Sequence, residues 1–148
     1  MKNTFEALYQ QHKEFKALFQ TAKAANDAEG MDKIRTERNA LMESIEAKGV
    51  AFARIFDLYE SAMDRGNEHI DISECYDYRD EAALIACFRE YGIETFTFSS
   101  GWSSAVESAW NFVKAGCTLM GMVEINSKTR NWDGDAYEKC HAYLFKVQ

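Results

Sequence analysis

The sequence predicts a mixed α+β fold. An antiparallel helical hairpin over residues 1–66 is expected to pack on a small α/β domain over 67–148, ordered β-α-β-α-β-β around a small mixed sheet. Three observations predict it. Apolar residues recur every three or four positions as far as residue 65, whereas from residue 68 short runs alternate with a period of two. Gly66, Gly92 and Gly116 stand where helical segments have to stop.

The first helix opens on Asn3 and Glu6, an N-x-x-E capping box. Phe5, Leu8, Tyr9, His12, Phe15 and Phe19 then form one stripe along about six turns. His12 reads as a packing residue of that stripe, because no second metal ligand stands near it. After the polar break Ala25-Asn26-Asp27, a second series runs through Ile34, Leu41, Ile45, Phe52, Ile55, Tyr59 and Met63, with Met42 and Phe56 alongside. It reads as a single helix from about residue 30 to 65, about 50 Å long. Arg38 interrupts its stripe, the long stem lying along apolar surface. Gly49 bends it, at a cost of about 1 kcal/mol relative to Ala. Because this helix outruns the first, Phe52, Phe56 and Tyr59 are expected to pack against the C-terminal half.

Beyond Gly66 the pattern changes. His69-Ile70-Asp71-Ile72-Ser73 and Glu94-Thr95-Phe96-Thr97-Phe98-Ser99 alternate as strands. Between them Ala83, Leu84, Cys87, Phe88 and Tyr91 mark a helix closed by Gly92, with Ile93 as its hydrophobic follow-on. Ser104 to Glu107 reads as a capping box opening a further helix, with Val106, Ala109, Trp110 and Val113 expected inward. Leu119–Asn126 and Cys140–Val147 are the last two strands, an antiparallel hairpin around the turn-rich 127–135, and the helical crossovers favour parallel pairing earlier.

Composition excludes several functions. The chain has 148 residues, 47% hydrophobic, 28% charged and 14% aromatic, which is globular and not disordered. No apolar run approaches the ~18 residues of a membrane span, and the N-terminus lacks a secretory apolar core, so a cytoplasmic protein is expected. Residues 1–66 carry 10 Lys+Arg against 11 Asp+Glu and residues 67–148 carry 7 against 13, so most of the net charge of −7 lies in the second half. Neither half offers the basic stripe that phosphate backbones require, so direct nucleic-acid binding is not expected. A protein partner with a basic surface, such as a nucleic-acid-processing complex, suits the charge better. Cys75, Cys87, Cys117 and Cys140 are too widely spaced for a zinc ribbon or a disulfide framework, and Cys140 and His141 are adjacent on a strand and point to opposite faces. No metal and no cofactor are expected.

Two segments are candidates for a site. The first is the Ser-rich loop and helix N-terminus with Ser99, Ser100, Trp102, Ser103, Ser104 and Glu107. Its hydroxyls and backbone N–H groups offer an anion cradle at the positive end of a helix dipole, although it holds no Lys or Arg and no P-loop pattern. Gly101-Trp102-Ser103-Ser104-Ala105 also approximates a nucleophile elbow with Ala for the last Gly, and Asp133 or Asp135 and then His141 follow in triad order. The plainest reading is that the serines cap the helix while Trp102 packs over its end. The second segment is the acidic run with Asp71, Glu74, Tyr76, Asp77 and Tyr78, which reads as an exposed contact patch where tyrosines sit among carboxylates. The D-x-[DN]-x-[DN]-G calcium pattern is absent, and Asp77, Asp80 and Glu81 stand where a helix N-terminus favours negative charge. No residue is assigned a catalytic role.

The block Glu81-Ala82-Ala83-Leu84-Ile85, Gly92-Ile93, Phe96-Thr97-Phe98-Ser99-Ser100, Trp102-Ser103-Ser104-Ala105-Val106-Glu107, Ala109-Trp110, Gly116-Cys117 and Ile125-Asn126 resembles a family of small proteins of unassigned function met on plasmids, integrative elements and phages of gut Firmicutes. The likeness covers the C-terminal half and the end of the second helix, and it carries over no catalytic residue. It implies a non-enzymatic protein-binding module of a mobile genetic element, an inhibitor of host defence of the anti-CRISPR or anti-restriction kind. Two alternatives stand beside it: a small-molecule or anion-binding enzyme using loop 99–107, and a structural module that self-associates as a homo-oligomer through the long helix.

Overall fold

The computed structural model describes residues 3–73, 81–101 and 103–148. Its order is α1 (Thr4–Ala24), α2 (Ala28–Glu46), α3 (Val50–Asp64), β1 (Ile70–Ile72), α4 (Glu81–Tyr91), β2 (Thr95–Phe98), α5 (Ala105–Lys114), β3 (Thr118–Arg130) and β4 (Tyr137–Lys146). This is the expected mixed α+β arrangement of N-terminal helices followed by a strand-rich region. The chain forms two compact units, Lys2–Phe56 and Asp57–Gln148, and the division falls inside α3.

In the helical unit, the Asn3 side chain accepts the Glu6 N–H at 2.9 Å and starts α1, while Asp27 accepts the Gly30 N–H at 2.9 Å and starts α2. The two helices run antiparallel: Arg38 of α2 reaches His12 of α1, and Arg35 lies over the Phe19 ring. His12 is buried, and its Nε2 accepts from Arg38 Nε at 3.2 Å. The arginine that breaks the apolar stripe of α2 is therefore the partner of the one histidine within the stripe of α1.

The expected single helix over 30–65 is two helices. Lys48 and Gly49 bond back three residues, to Ile45 and Glu46, and Gly49 adopts φ +110° before its carbonyl accepts the first bond of α3 from Ala53. The break brings the first two turns of α3, as far as Phe56, against α1. Phe52 meets the Phe5 ring at 4.8 Å and Phe56 lies 6.4 Å from the His12 ring. The first half of α3 thus finds aromatic partners on α1 rather than overhanging it. A consequence separates the two geometries. In a continuous helix Gly49→Ala would stabilise by about 1 kcal/mol. Here a Cβ meets nothing within 4 Å, so the positive φ alone decides, and the substitution should cost about 1–3 kcal/mol in a urea titration.

In the second unit the sheet order is β1-β2-β4-β3. β1 and β2 are parallel, with Asp71 opposite Thr97, whereas β4 is antiparallel to both β2 and β3. Ile70, Ile72, Phe96 and Phe98 share one face, and Asp71 and Thr97 share the other. On the apolar face, Phe96 packs against Phe88 of α4, Phe112 of α5 and Phe145 of β4, with ring centroids 5.1–5.3 Å apart. Phe112 also meets Phe98 edge-on at 5.3 Å. Arg89 on α4 donates to the carbonyl of Ala115 at 2.7 Å, capping the C-terminus of α5.

Helix α5 is turned relative to expectation. Ser108 and Phe112 are its buried residues, whereas Val106, Trp110 and Val113 are exposed and Ala109 is half-buried. One large aromatic ring decides which face the helix buries, because Phe112 completes a cluster of phenylalanines that no valine could fill. The expected capping box is not formed either. Ser104 has helical backbone angles and its side chain makes no cap bond.

Candidate functional site

Parallel strands β1 and β2 end at the same edge of the sheet, and the Ser99 N–H donates to the Ile72 carbonyl at 3.2 Å to extend their ladder. Such carboxyl ends are where open α/β sheets hold ligands. A cavity of about 360 Å³ opens here. Its hydroxyls come from Ser73 after β1, Ser99 and Ser100 after β2, and Ser127 and Thr129 of β3, joined by Gly101, Lys128, Cys140, His141 and Asp71.

The floor is a buried polar network. Asp71 Oδ1 accepts from Thr97 Oγ1 at 2.7 Å, and Oδ2 stands 3.4 Å from Arg65 Nη2 with both side chains almost wholly buried. Arg65 also donates from Nε to the Asn126 carbonyl at 3.1 Å and from Nη1 to Ser61 Oγ at 2.6 Å. Asn67 clamps the same strand position: its side chain accepts the Asn126 N–H at 2.8 Å and donates to the Asn126 carbonyl at 3.0 Å. Burial pushes the Asp71 carboxyl above the ordinary 3.8, against the opposing pull of Thr97, Arg65, Lys128 and Ser99. Burial, then the neighbouring Asp71, raises the Cys140 thiol as well, although Arg65 and Ser99 pull it down. Cys140 is thus a protonated thiol at neutral pH and a weak nucleophile.

Of the residues expected at the site, Ser99, Ser100 and Asp71 come together at this cavity. Ser103, Ser104 and Glu107 are exposed at the start of α5 and do not line it. Trp102, Glu74, Tyr76, Asp77 and Tyr78 lie outside the described residues. Asp71 requires a correction: expected on an exposed acidic patch, it is 3% exposed, because the alternation of β1 turns it away from Ile70 and Ile72 toward Arg65 and Thr97. The Ser-Asp-His order does not assemble here either, since the cavity gathers His141 but neither Ser103, Asp133 nor Asp135, and the Asp135 carboxylate is engaged by Asn131. No disulfide joins Cys87, Cys117 and Cys140, and Cys75 is outside the described residues. Among the described residues no group of three His, Cys, Asp or Glu side chains could hold a metal ion, and no helix is long and apolar enough to cross a membrane.

Sequence reasoning missed Arg65, Thr97, Lys128 and Cys140. One signal was available for Thr97. Ile-Asp-Ile and Phe-Thr-Phe are both strands with a polar centre, and pairing them in register sets Asp71 beside Thr97.

The sheet, its two helices and this cavity coincide with a family match over residues 54–147, to a domain of unknown function designated DUF7698. The chain belongs to the DUF7698 family. The DUF7698 match takes in most of α3, so it includes Arg65 and the whole of the network around Asp71. No curated protein and no solved structure matches the chain.

Proposed function

We propose that this chain is a non-enzymatic protein-binding module that engages its partner through the tip of the β3–β4 hairpin. One observation carries the reading. Trp132 is 100% exposed, yet the turn that bears it is closed by hydrogen bonds. Asn131 N–H donates to the Ala136 carbonyl at 2.8 Å, Asn131 Nδ2 to Asp135 Oδ1 at 2.7 Å, and Gly134 takes φ +72° to close the turn. Beneath it the Arg130 guanidinium lies 4.0 Å from the centre of the Tyr137 ring. Tryptophan held outward on a hydrogen-bonded turn is the kind of anchor that dominates interfaces, because it brings a large contact area and its backbone is already folded before binding.

The resemblance to mobile-element proteins supplies the partner class: a host nucleic-acid-targeting defence complex with a basic surface, toward which a net charge of −7 would steer association. The test is protection of an incoming plasmid in cells carrying such a defence system. The chain should protect in proportion to its dose, and Trp132→Ala should abolish protection while its unfolding free energy stays within about 0.5 kcal/mol, as for an exposed position. Undiminished protection by Trp132→Ala overturns the hairpin as the contact.

A second reading, a small-molecule or anion-binding enzyme, is favoured by the position of the cavity at the carboxyl ends of β1 and β2. It predicts that Ser99→Ala removes the cellular phenotype and Trp132→Ala does not.

A further inference from the structure

We propose that this chain self-associates as a two-fold dimer through α5, a surface separate from the hairpin tip and independent of its role. The helix carries two apolar faces. One is buried through Phe112, and the other is a stripe of Val106, Trp110 and Val113, which are 78%, 59% and 40% exposed. At about 100° per residue these three fall within about 60° of arc. Leu119 and Met122, also exposed, rise from the sheet face that α5 covers, since they pair with Phe145 and Tyr143. Exposed apolar surface that is contiguous on one helix marks an interaction site.

What identifies the occupant as a second copy is the self-complementarity of the stripe. An isologous interface requires one patch to match itself after a half-turn. Take an antiparallel α5 pair with the two-fold axis at Trp110. Val106, four residues before that centre, meets Val113 of the second copy, three residues beyond it. Glu107 and Lys114 stand three residues before and four after the same centre, and both lie about 90° round from Val106, on one flank. The half-turn keeps that flank in register and reverses direction along the helix, so Glu107 of each copy faces Lys114 of the other. Both side chains are exposed. Apolar centre and charged rim are thus matched by one operation, the arrangement typical of specific interfaces.

Sedimentation equilibrium of the whole chain over a range of concentrations tests this. A monomer–dimer equilibrium is expected, and Trp110→Ala should weaken it by roughly 30-fold or more while circular dichroism stays unchanged. Two charge variants give the decisive arm. E107K and K114E each set like charges opposite one another in their own homodimer, so each alone should dimerise roughly tenfold more weakly than the parent. Mixed together they should recover dimer, because the E107K chain presents two lysines to the two glutamates of the K114E chain. A chain monomeric at every concentration overturns the proposal. So does a dimer indifferent to Trp110→Ala, or a mixture of the two charge variants no more associated than either alone.

Discussion

Phe96→Ala should lower the stability of the strand-rich unit by about 3–5 kcal/mol, the cost of emptying a fully buried phenylalanine site. Phe96 is 0% exposed and its ring touches Phe88, Phe112 and Phe145, so three rings from two helices and a strand lose their common neighbour. Those rings are anchored on separate elements, so collapse into the void is limited and the loss should fall at the upper end of the range. A domain stable by ~5–15 kcal/mol would lose a large share of its margin. All three tryptophans lie beyond residue 100, so their fluorescence in a urea titration follows this unit selectively. Phe96→Leu should cost markedly less. A loss below about 1 kcal/mol for the alanine variant would mean that the cluster is not the core.

Arg65→Leu should cost a similar amount, about 3–5 kcal/mol at neutral pH, for a different reason. Leucine fills much of the space but leaves the Asp71 carboxylate buried without its ion-pair partner, takes one of two donors from the Asn126 carbonyl and removes the donor to the Ser61 hydroxyl. The cost should depend on pH in a definite direction. Asp71 has a folded pKa above its unfolded value near 3.8, since burial outweighs its partners. A raised carboxyl contributes stability that is fully present below the unfolded pKa and is lost as pH rises through the folded one. Removing Arg65 raises the folded pKa further, so the deficit of Arg65→Leu should shrink as the pH is lowered from neutral toward 3.8. Adding Asp71→Asn should recover part of the deficit at neutral pH and flatten the pH dependence. A deficit equal at all pH values would mean that Arg65 acts through its carbonyl and hydroxyl contacts alone.

Element identity was largely legible in the sequence, because it rests on local signals: the Asn3 cap, the glycines at 66, 92 and 116, and the alternation around Ile70 and Phe96. Where the reading departed from the molecule, the deciding interaction was non-local. Gly49 marks a weak point in the sequence, but the break there brings Phe52 to Phe5, a contact across nearly fifty positions. The rotation of α5 depends on Phe112 meeting three rings from two strands, Phe96 and Phe98 of β2 and Phe145 of β4, and a helical stripe drawn through Val106, Trp110 and Val113 is equally regular. That stripe is real and faces outward. Asp71 looked like a surface charge because its neighbours in sequence are acidic, while its neighbours in space are Arg65 and Thr97. Arg65 itself sits at a helix end, where a basic residue needs no special explanation.

The strand order has a consequence for synthesis. β4 lies between β2 and β3, yet it follows both in the chain. As the polypeptide leaves the ribosome, β1 and β2 can pair, but β3 emerges with no neighbour at all, and the outer edge of β2 stays open until residues 137–146 arrive. During that interval the nascent chain displays two unsatisfied strand edges, and Phe96 lacks the Phe145 ring; open edges are what make a partly made protein prone to mispairing. Closure is then a single late event in which one strand zips both edges at once, so a ribosome stalled before β4 would hold a chain dependent on chaperones.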